Sequence, residues 1–173
     1  MLKLQPNHAE YSDLWWRERN ILARRKIEEK KFQEAYNLVA EHKINNADSS
    51  YSQAEWLLGW LSLSFLNQPK QAYMHFENFY NAVSAAISRS RAAYWLARTD
   101  EALGNNDSAK NWYRLASQFP STFYGQLATE KLGEKINKNS LLSDRVSETE
   151  QSNFNKNELV IATKLLYKHN LEK

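Results

Sequence analysis

Apolar residues recur at three- and four-residue spacing along most of the chain. Residues at that spacing share one face of an α-helix, so the pattern predicts a series of amphipathic helices. We expect eight helices, at about 12–30, 32–42, 52–66, 69–82, 88–103, 107–119, 121–132 and 155–168. Residues 134–154, before the last helix, are polar and lack strong periodicity, which predicts a linker.

Residue types at the segment boundaries predict where helices begin and end. Pro69 suits the first turn of the fourth helix, and Gly104 suits a left-handed C-cap after the fifth. Polar side chains that accept a hydrogen bond from a free backbone N–H are expected to cap four other helices. These caps are Ser12, Ser52 with Glu55 as a capping box, Asp107 and Ser121.

The predicted helices form pairs with a recurring arrangement of small residues. Three small residues in the first helices lie 36 and 38 residues apart, and each is followed 12 or 13 residues later by an alanine. Small side chains at both points let paired helices cross closely, a pattern that resembles tetratricopeptide-type repeats of about 34 residues. The positions are Ala23, Gly59 and Ala97, followed by Ala35, Ala72 and Ala109. We therefore expect an all-α fold, a right-handed α-superhelix (solenoid) of stacked helix pairs.

Composition agrees with helices and excludes several classes of partner. Only 4 glycines and 3 prolines occur, too few for the turns of an all-β fold. The net charge is +3, and Lys and Arg are mixed with acids, as in 24–31 (RRKIEEKK). The sequence therefore lacks the clustered basic stripe that would predict a nucleic-acid partner. The absence of cysteine excludes disulfides and thiolate metal sites.

Targeting signals are also missing from the sequence. No apolar run approaches the roughly 18–20 residues that span a bilayer. The first eight residues (MLKLQPNH) lack the apolar core of a signal peptide. On these grounds we expect no membrane span and a cytoplasmic chain if it is expressed as it stands.

No motif predicts a catalytic, cofactor or metal site. None of the four histidines has the i, i+4 spacing of a helical zinc pair. They are His8, His42, His75 and His169. The carboxylate pairs Glu28–Glu29 and Glu148/Glu150 lie in polar surroundings, where nothing would raise a pKa as a glycosidic acid requires.

Several stretches carry specific local motifs. They are 14–20 (LWWRERN), 54–60 (AEWLLGW), 65–69 (FLNQP), 87–98 (ISRSRAAYWLAR), 122–128 (TFYGQLA) and 158–160 (ELV). In this order, and over about residues 12–169, they resemble the α-superhelical region that precedes the catalytic domain of soluble lytic murein transglycosylases. The motif FYGQLA after a proline is the strongest local signature of that resemblance.

The resemblance implies a setting without implying an activity. Members of that family cleave peptidoglycan glycan strands with a glutamate in a lysozyme-like domain that follows the superhelix. The Glu-Ser and Gly-Leu-Met-Gln motifs of that domain do not occur here. The resemblance therefore implies a non-catalytic scaffold segment in the periplasm, whose partners are glycan strands or a separate catalytic domain. From residue type alone, the expected glycan contacts are Arg17, Arg19, Arg89, Arg91 and Trp16.

The chain is then expected to divide into three parts. Residues 1–133 form the helix-pair repeats, 134–154 the linker, and 155–173 an amphipathic helix that leads toward a missing domain. The apolar face of that helix predicts a dimer or association with a separate catalytic domain. It consists of Leu159, Ile161, Leu165 and Leu166.

Two other interpretations remain open. A tetratricopeptide-like protein–protein interaction module would hold a peptide or a partner helix in its groove. A relic of a truncated gene would have poorly capped ends. Arg89 and Arg91 could equally bridge neighbouring repeats instead of contacting glycan.

Overall fold

The computed structural model describes residues 12–45, 49–135 and 147–168, and every regular element in these ranges is an α-helix. The nine helices of these ranges are α1 (Ser12–Glu28), α2 (Phe32–Ala40), α3 (Ser49–Ser64), α4 (Pro69–Ala82), α5 (Ala86–Leu103), α6 (Asn106–Ser117), α7 (Phe123–Lys131), α8 (Glu148–Lys156) and α9 (Glu158–Lys168). The predicted all-α class is confirmed for this part of the chain. None of these helices is both long and apolar enough to cross a membrane.

The helices pack in the order in which they follow along the chain. The chain forms two compact units, Met1–Ile136 with α1 to α7 and Asn137–Lys173 with α8 and α9. In the first unit α1 packs on α2, α3 on α4 and α5 on α6, and α7 lies against both α5 and α6. Contacts of α2 with α3 and of α4 with α5 join successive pairs. The predicted packing as sequential helix pairs is therefore confirmed.

The six small residues predicted at helix crossings are all buried. Gly59 shows why size matters at these positions, because an added Cβ atom would lie 2.7 Å from Phe76 Cε1. Helices α3 and α4 therefore cross too closely for a side chain at Gly59. The larger residues four positions after the second set are buried as well, namely Val39, Phe76 and Tyr113.

The described residues of the first unit form three apolar clusters in its interior, which follow one another along the chain. One cluster joins α1, α2 and α3 around Trp16 and Leu58. The next joins α4 and α5 through Phe76 and Leu96, and the third joins α5, α6 and α7 around Tyr113. Four partly buried tryptophans pack against two clusters each: Trp56, Trp60, Trp95 and Trp112. These large rings link the clusters.

The motif 122–128 forms a close junction between α5, α6 and α7. Thr122 Oγ1 accepts a hydrogen bond from the Gly125 N–H at 3.0 Å and so caps α7. The same oxygen lies 2.9 Å from Ser90 Oγ on α5. A Cβ atom on Gly125 would lie 2.7 Å from the carbonyl carbon of Phe119, so only glycine fits here. The predicted cap at Ser121 is wrong by one residue.

Two other predicted caps are also wrong. Helix α3 begins at Ser49, so Ser52 lies inside it and donates to the Ser49 carbonyl oxygen at 2.8 Å. Glu55 consequently caps nothing and is held by other partners. Helix α6 begins at Asn106 after Asn105, which places Asp107 in its first turn. Ser12 is the first residue of α1, and its side chain lies outside the described residues.

Proline and glycine punctuate the helices as predicted. Pro69 opens α4 at a position where its missing N–H has no intrahelical partner to lose. Gly104 ends α5 with φ of 81°, the left-handed conformation that a side chain disfavours. These signals depend on the backbone alone, which is why they could be predicted locally.

The second unit corrects the prediction of a linker. Helix α8 occupies Glu148–Lys156, and Ser147 and Glu150 form its capping box. Asn157 then adopts an extended conformation, and its Oδ1 accepts from the Leu159 N–H at 3.0 Å, so α9 begins at Glu158. Residues 136–146 of the predicted linker lie outside the described residues.

Candidate functional site

Two of the predicted glycan contacts are interior side chains. Trp16 and Arg19 are each only 4% exposed. They lie three positions apart, so they share one face of α1. Arg19 Nη1 donates to the Leu38 carbonyl oxygen of α2 at 2.6 Å. A ligand at the surface does not reach either side chain, which corrects the expectation for these two residues.

The other predicted arginines differ in their surroundings. Arg17 is exposed on α1. Arg89 lies on α5 with its guanidinium carbon 3.6 Å from the centre of the Tyr80 ring, and it donates to the Tyr80 carbonyl oxygen at 3.0 Å. This arginine therefore bridges α4 and α5, as one of the two interpretations of the sequence predicted.

Arg91 lies at one end of a continuous series of aromatic rings. Its guanidinium carbon is 4.7 Å from the Trp56 ring centre. The Trp56 and Trp60 rings are stacked, with centres 5.9 Å apart. Phe65 contacts Trp60 edge-on at 4.9 Å and stacks on Phe32 at 4.0 Å. We call these four rings, together with Arg91, the aromatic row.

The aromatic row combines apolar ring faces with one cation. Phe65 is 41% exposed, and the other members are partly buried. Trp56 and Trp60 also pack against the interior, so the row is held rigidly. Arg91 additionally lies 5.0 Å from the Phe79 ring, and burial lowers its pKa. Rigid rings beside a guanidinium provide stacking surfaces and hydrogen-bond donors in one place.

A second polar feature lies in the interior, where Glu55 of α3 is only 4% exposed. Its Oε1 is 3.2 Å from His42 Nε2, which follows α2 in the chain. Its Oε2 is 2.9 Å from His75 Nδ1 and 2.9 Å from Asn78 Nδ2, both on α4. A buried carboxylate thus receives three hydrogen bonds from two directions, which compensates the loss of water.

Further hydrogen bonds extend this cluster and assign its protons. The Ile44 N–H donates to His42 Nδ1 at 2.9 Å, so His42 carries its proton on Nε2 and donates it to Glu55. The Tyr36 hydroxyl lies 2.9 Å from His75 Nε2 and accepts from the Gln71 amide, so it can donate to His75. Each donor then meets an acceptor with both rings neutral. We call these residues the Glu55 network: Tyr36, His42, Ile44, Glu55, Gln71, His75 and Asn78.

The electrostatics of the network keep Glu55 ionised. Burial by itself raises the pKa of Glu55, but hydrogen bonds from His42, His75 and Asn78 outweigh burial and lower the pKa to about 2. A carboxyl group with so low a pKa is ionised near neutral pH, so it accepts hydrogen bonds and carries no proton that it could donate as an acid.

Sequence reasoning missed the network. It treated Glu55 as a helix cap and found no spacing that joins His42 to His75. The three residues lie on separate elements, and Glu55 is 13 positions from one histidine and 20 from the other. A local signal did exist, because a glutamate among apolar residues at 54–60 predicts a buried charge that needs partners.

The carboxylate pairs considered in the sequence are exposed, as expected. The ammonium groups of Lys31 and Lys26 lower the pKa of Glu29 by hydrogen bonding. Hydrogen bonds from Ser147 lower the pKa of Glu150 at the start of α8. Both shifts stabilise the ionised form, which is the reverse of what an acid catalyst needs.

The described residues contain no group of three or more His, Asp or Glu side chains that could hold a metal ion. No protein-family model, curated protein or solved structure matches the chain.

Proposed function

We propose that this chain is a non-catalytic helical scaffold of peptidoglycan processing, like the superhelical segment of soluble lytic murein transglycosylases. Its helix pairs form a right-handed, tetratricopeptide-like solenoid, and it acts in the periplasm. It binds glycan strands, and cleavage belongs to a separate catalytic domain.

The aromatic row is the observation that carries this proposal. Pyranose rings present a flat face of C–H groups that lies well on an aromatic ring, and their hydroxyl and acetamido oxygens accept hydrogen bonds. The row places the 41% exposed ring of Phe65 beside the partly buried rings of Trp60 and Trp56, with the guanidinium of Arg91 at its end. Rings that are already held rigid lose little conformational entropy when a ligand binds.

The state of Glu55 argues against its use as a glycosidic acid. A glycosidic acid must be protonated near neutral pH, which requires a raised pKa. The hydrogen bonds to Glu55 hold its pKa at about 2, despite its burial. Both of its oxygens accept hydrogen bonds, from His42, His75 and Asn78, which gives it a structural role.

Retention on purified peptidoglycan sacculi, with muropeptide release followed in parallel, tests the proposal. We expect the wild-type chain to be retained at low and moderate salt without releasing muropeptides. Phe65→Ser and Arg91→Gln are expected to weaken retention several-fold, because they remove a stacking face and the donors. Circular dichroism shows whether each variant is folded.

Phe123→Ser is the matched control. Phe123 is 68% exposed, and its ring contacts Tyr124 instead of the aromatic row. Its substitution is expected to leave retention unchanged. Loss of retention in all three variants would contradict glycan binding by the row. A wild-type chain that is not retained on sacculi would contradict it as well. Release of 1,6-anhydro muropeptides would contradict a non-catalytic role.

A protein partner is the second candidate, and the second unit favours it. Helix α9 exposes large apolar side chains, with Leu159 77% and Tyr167 72% accessible to solvent. We propose that a second copy of the chain covers this face. Light scattering over a range of concentrations is expected to show a dimer that Leu159→Lys dissociates. A wild-type monomer at every concentration would refute the dimer.

A further inference from the structure

The Glu55 network ties a short non-helical segment to the helices beside it. Residues 42–45 follow α2 and have no regular secondary structure. His42 connects this segment to Glu55 on α3, and the Ile44 N–H closes onto the same ring from the other side. Since His42 and Ile44 are both buried, the imidazole is the centre of this connection.

Adding a proton to His42 would break this pattern. A protonated imidazole carries a hydrogen on both nitrogens. The Nδ1–H would then face the Ile44 N–H across 2.9 Å, so two donors would oppose each other. On its other side, the protonated ring would gain attraction to the ionised Glu55 at 3.2 Å.

His75 tolerates a proton better than His42. Its Nδ1 already donates to Glu55, and its Nε2 faces the Tyr36 hydroxyl at 2.9 Å. A hydroxyl group can rotate and accept where it previously donated, whereas a backbone N–H cannot. The two histidines on one carboxylate therefore differ in their response to acid.

We propose that His42 is a pH-sensitive latch on the Ile44 backbone: at neutral pH its Nδ1 accepts the Ile44 N–H, and protonation of the ring breaks this hydrogen bond while the contact with Glu55 persists. Glu55 stays in place, because His75 and Asn78 of α4 hold its other oxygen. The Ile44 backbone lies outside a helix, so it is the part that moves. The latch is independent of the proposed glycan binding.

Other titratable groups face the ring or flank it. Tyr51 of α3 contacts the His42 ring edge-on at 5.6 Å, and burial raises the pKa of this phenol, so it stays neutral. Glu41 and Lys43 are the neighbours of His42 along the chain, and both are exposed. Among the described carboxylates, Glu55 is in hydrogen-bond contact with the ring through its Oε1.

Amide exchange of Ile44, measured by NMR between about pH 7.5 and 5, tests the latch. This window spans the ordinary titration of histidine. After correction for intrinsic exchange, we expect protection of Ile44 to fall about five- to tenfold, as the loss of one hydrogen bond implies. The Leu96 amide inside α5 reports global opening and is expected to keep its protection.

His42→Gln tests whether His42 is the sensor, because glutamine can donate to Glu55 but does not titrate. In this variant Ile44 exchange is expected to be independent of pH, whereas His75→Gln is expected to retain the response. His42→Asn, which keeps an acceptor near Ile44, replaces the first variant if that one does not fold. Constant protection of Ile44 in the wild type, or an unchanged response in the His42 variants, overturns the proposal.

Discussion

Gly59→Ala probes the closest helix crossing in the chain. The added methyl group would lie 2.7, 2.8 and 2.9 Å from three ring atoms of Phe76. Phe76 is fully buried between α3, α4 and α5, so its ring has no free space into which to move. Overpacking of this kind costs about 1–3 kcal/mol.

A second effect acts in the opposite direction. Alanine favours a helix interior over glycine by about 1 kcal/mol. The net expectation is a loss of up to about 2 kcal/mol in the free energy of unfolding. For a domain of this size the melting temperature falls by up to roughly 8 °C, as about 2–4 °C per kcal/mol implies.

The assay is chemical denaturation of four proteins that form a double-mutant cycle. They are the wild type, Gly59→Ala, Phe76→Leu and the double variant. Because leucine is smaller than the ring, the Gly59 substitution is expected to cost less, or to stabilise, in the Phe76→Leu background. An equal cost in both backgrounds, or a stabilised single variant, would show that the crossing is not limited by the Phe76 ring.

Three further predictions concern other parts of the first unit. The pKa of Glu55 is about 2 in the folded protein, below its ordinary value of 4.5. Its contribution to the free energy of unfolding is therefore complete above pH 4.5 and is lost as the pH falls toward 2. The loss is on the order of 3 kcal/mol, and acid titration of unfolding is expected to show it in the wild type but not in Glu55→Gln. Gly125→Ala is expected to lower the free energy of unfolding more than Gly59→Ala in chemical denaturation, because its methyl group meets the Phe119 backbone, which cannot rotate away. An equal or smaller loss would contradict this reasoning. Thr122→Ala is expected to lose about 1–2 kcal/mol of unfolding free energy with the α7 cap, and Thr122→Ser, which keeps the hydroxyl, is expected to lose less than half of that; equal losses would point to the methyl group instead.

The helix signals of the sequence were strongest where they depend on one segment only. Periodicity located eight of the nine described helices to within a few residues, because an apolar face is a property of one helix. Pro69 and Gly104 were placed correctly for the same reason, since each acts through its own backbone conformation. The capping box at Ser147 and Glu150 is an equally local signal for the start of α8. The polar composition of this region nevertheless favoured the prediction of a linker.

Tertiary packing decided which side chains are interior and which polar groups meet. Nothing local distinguishes Arg19, whose guanidinium binds the Leu38 carbonyl oxygen of the next helix, from the exposed Arg17. Glu55 has the spacing of a cap after Ser52, yet its partners come from α4 and from the segment after α2. The sequence by itself therefore determined the helices and the small residues at their crossings. Only the packing of one helix against another determined the aromatic row and the Glu55 network, because their members become neighbours solely through contacts between helices.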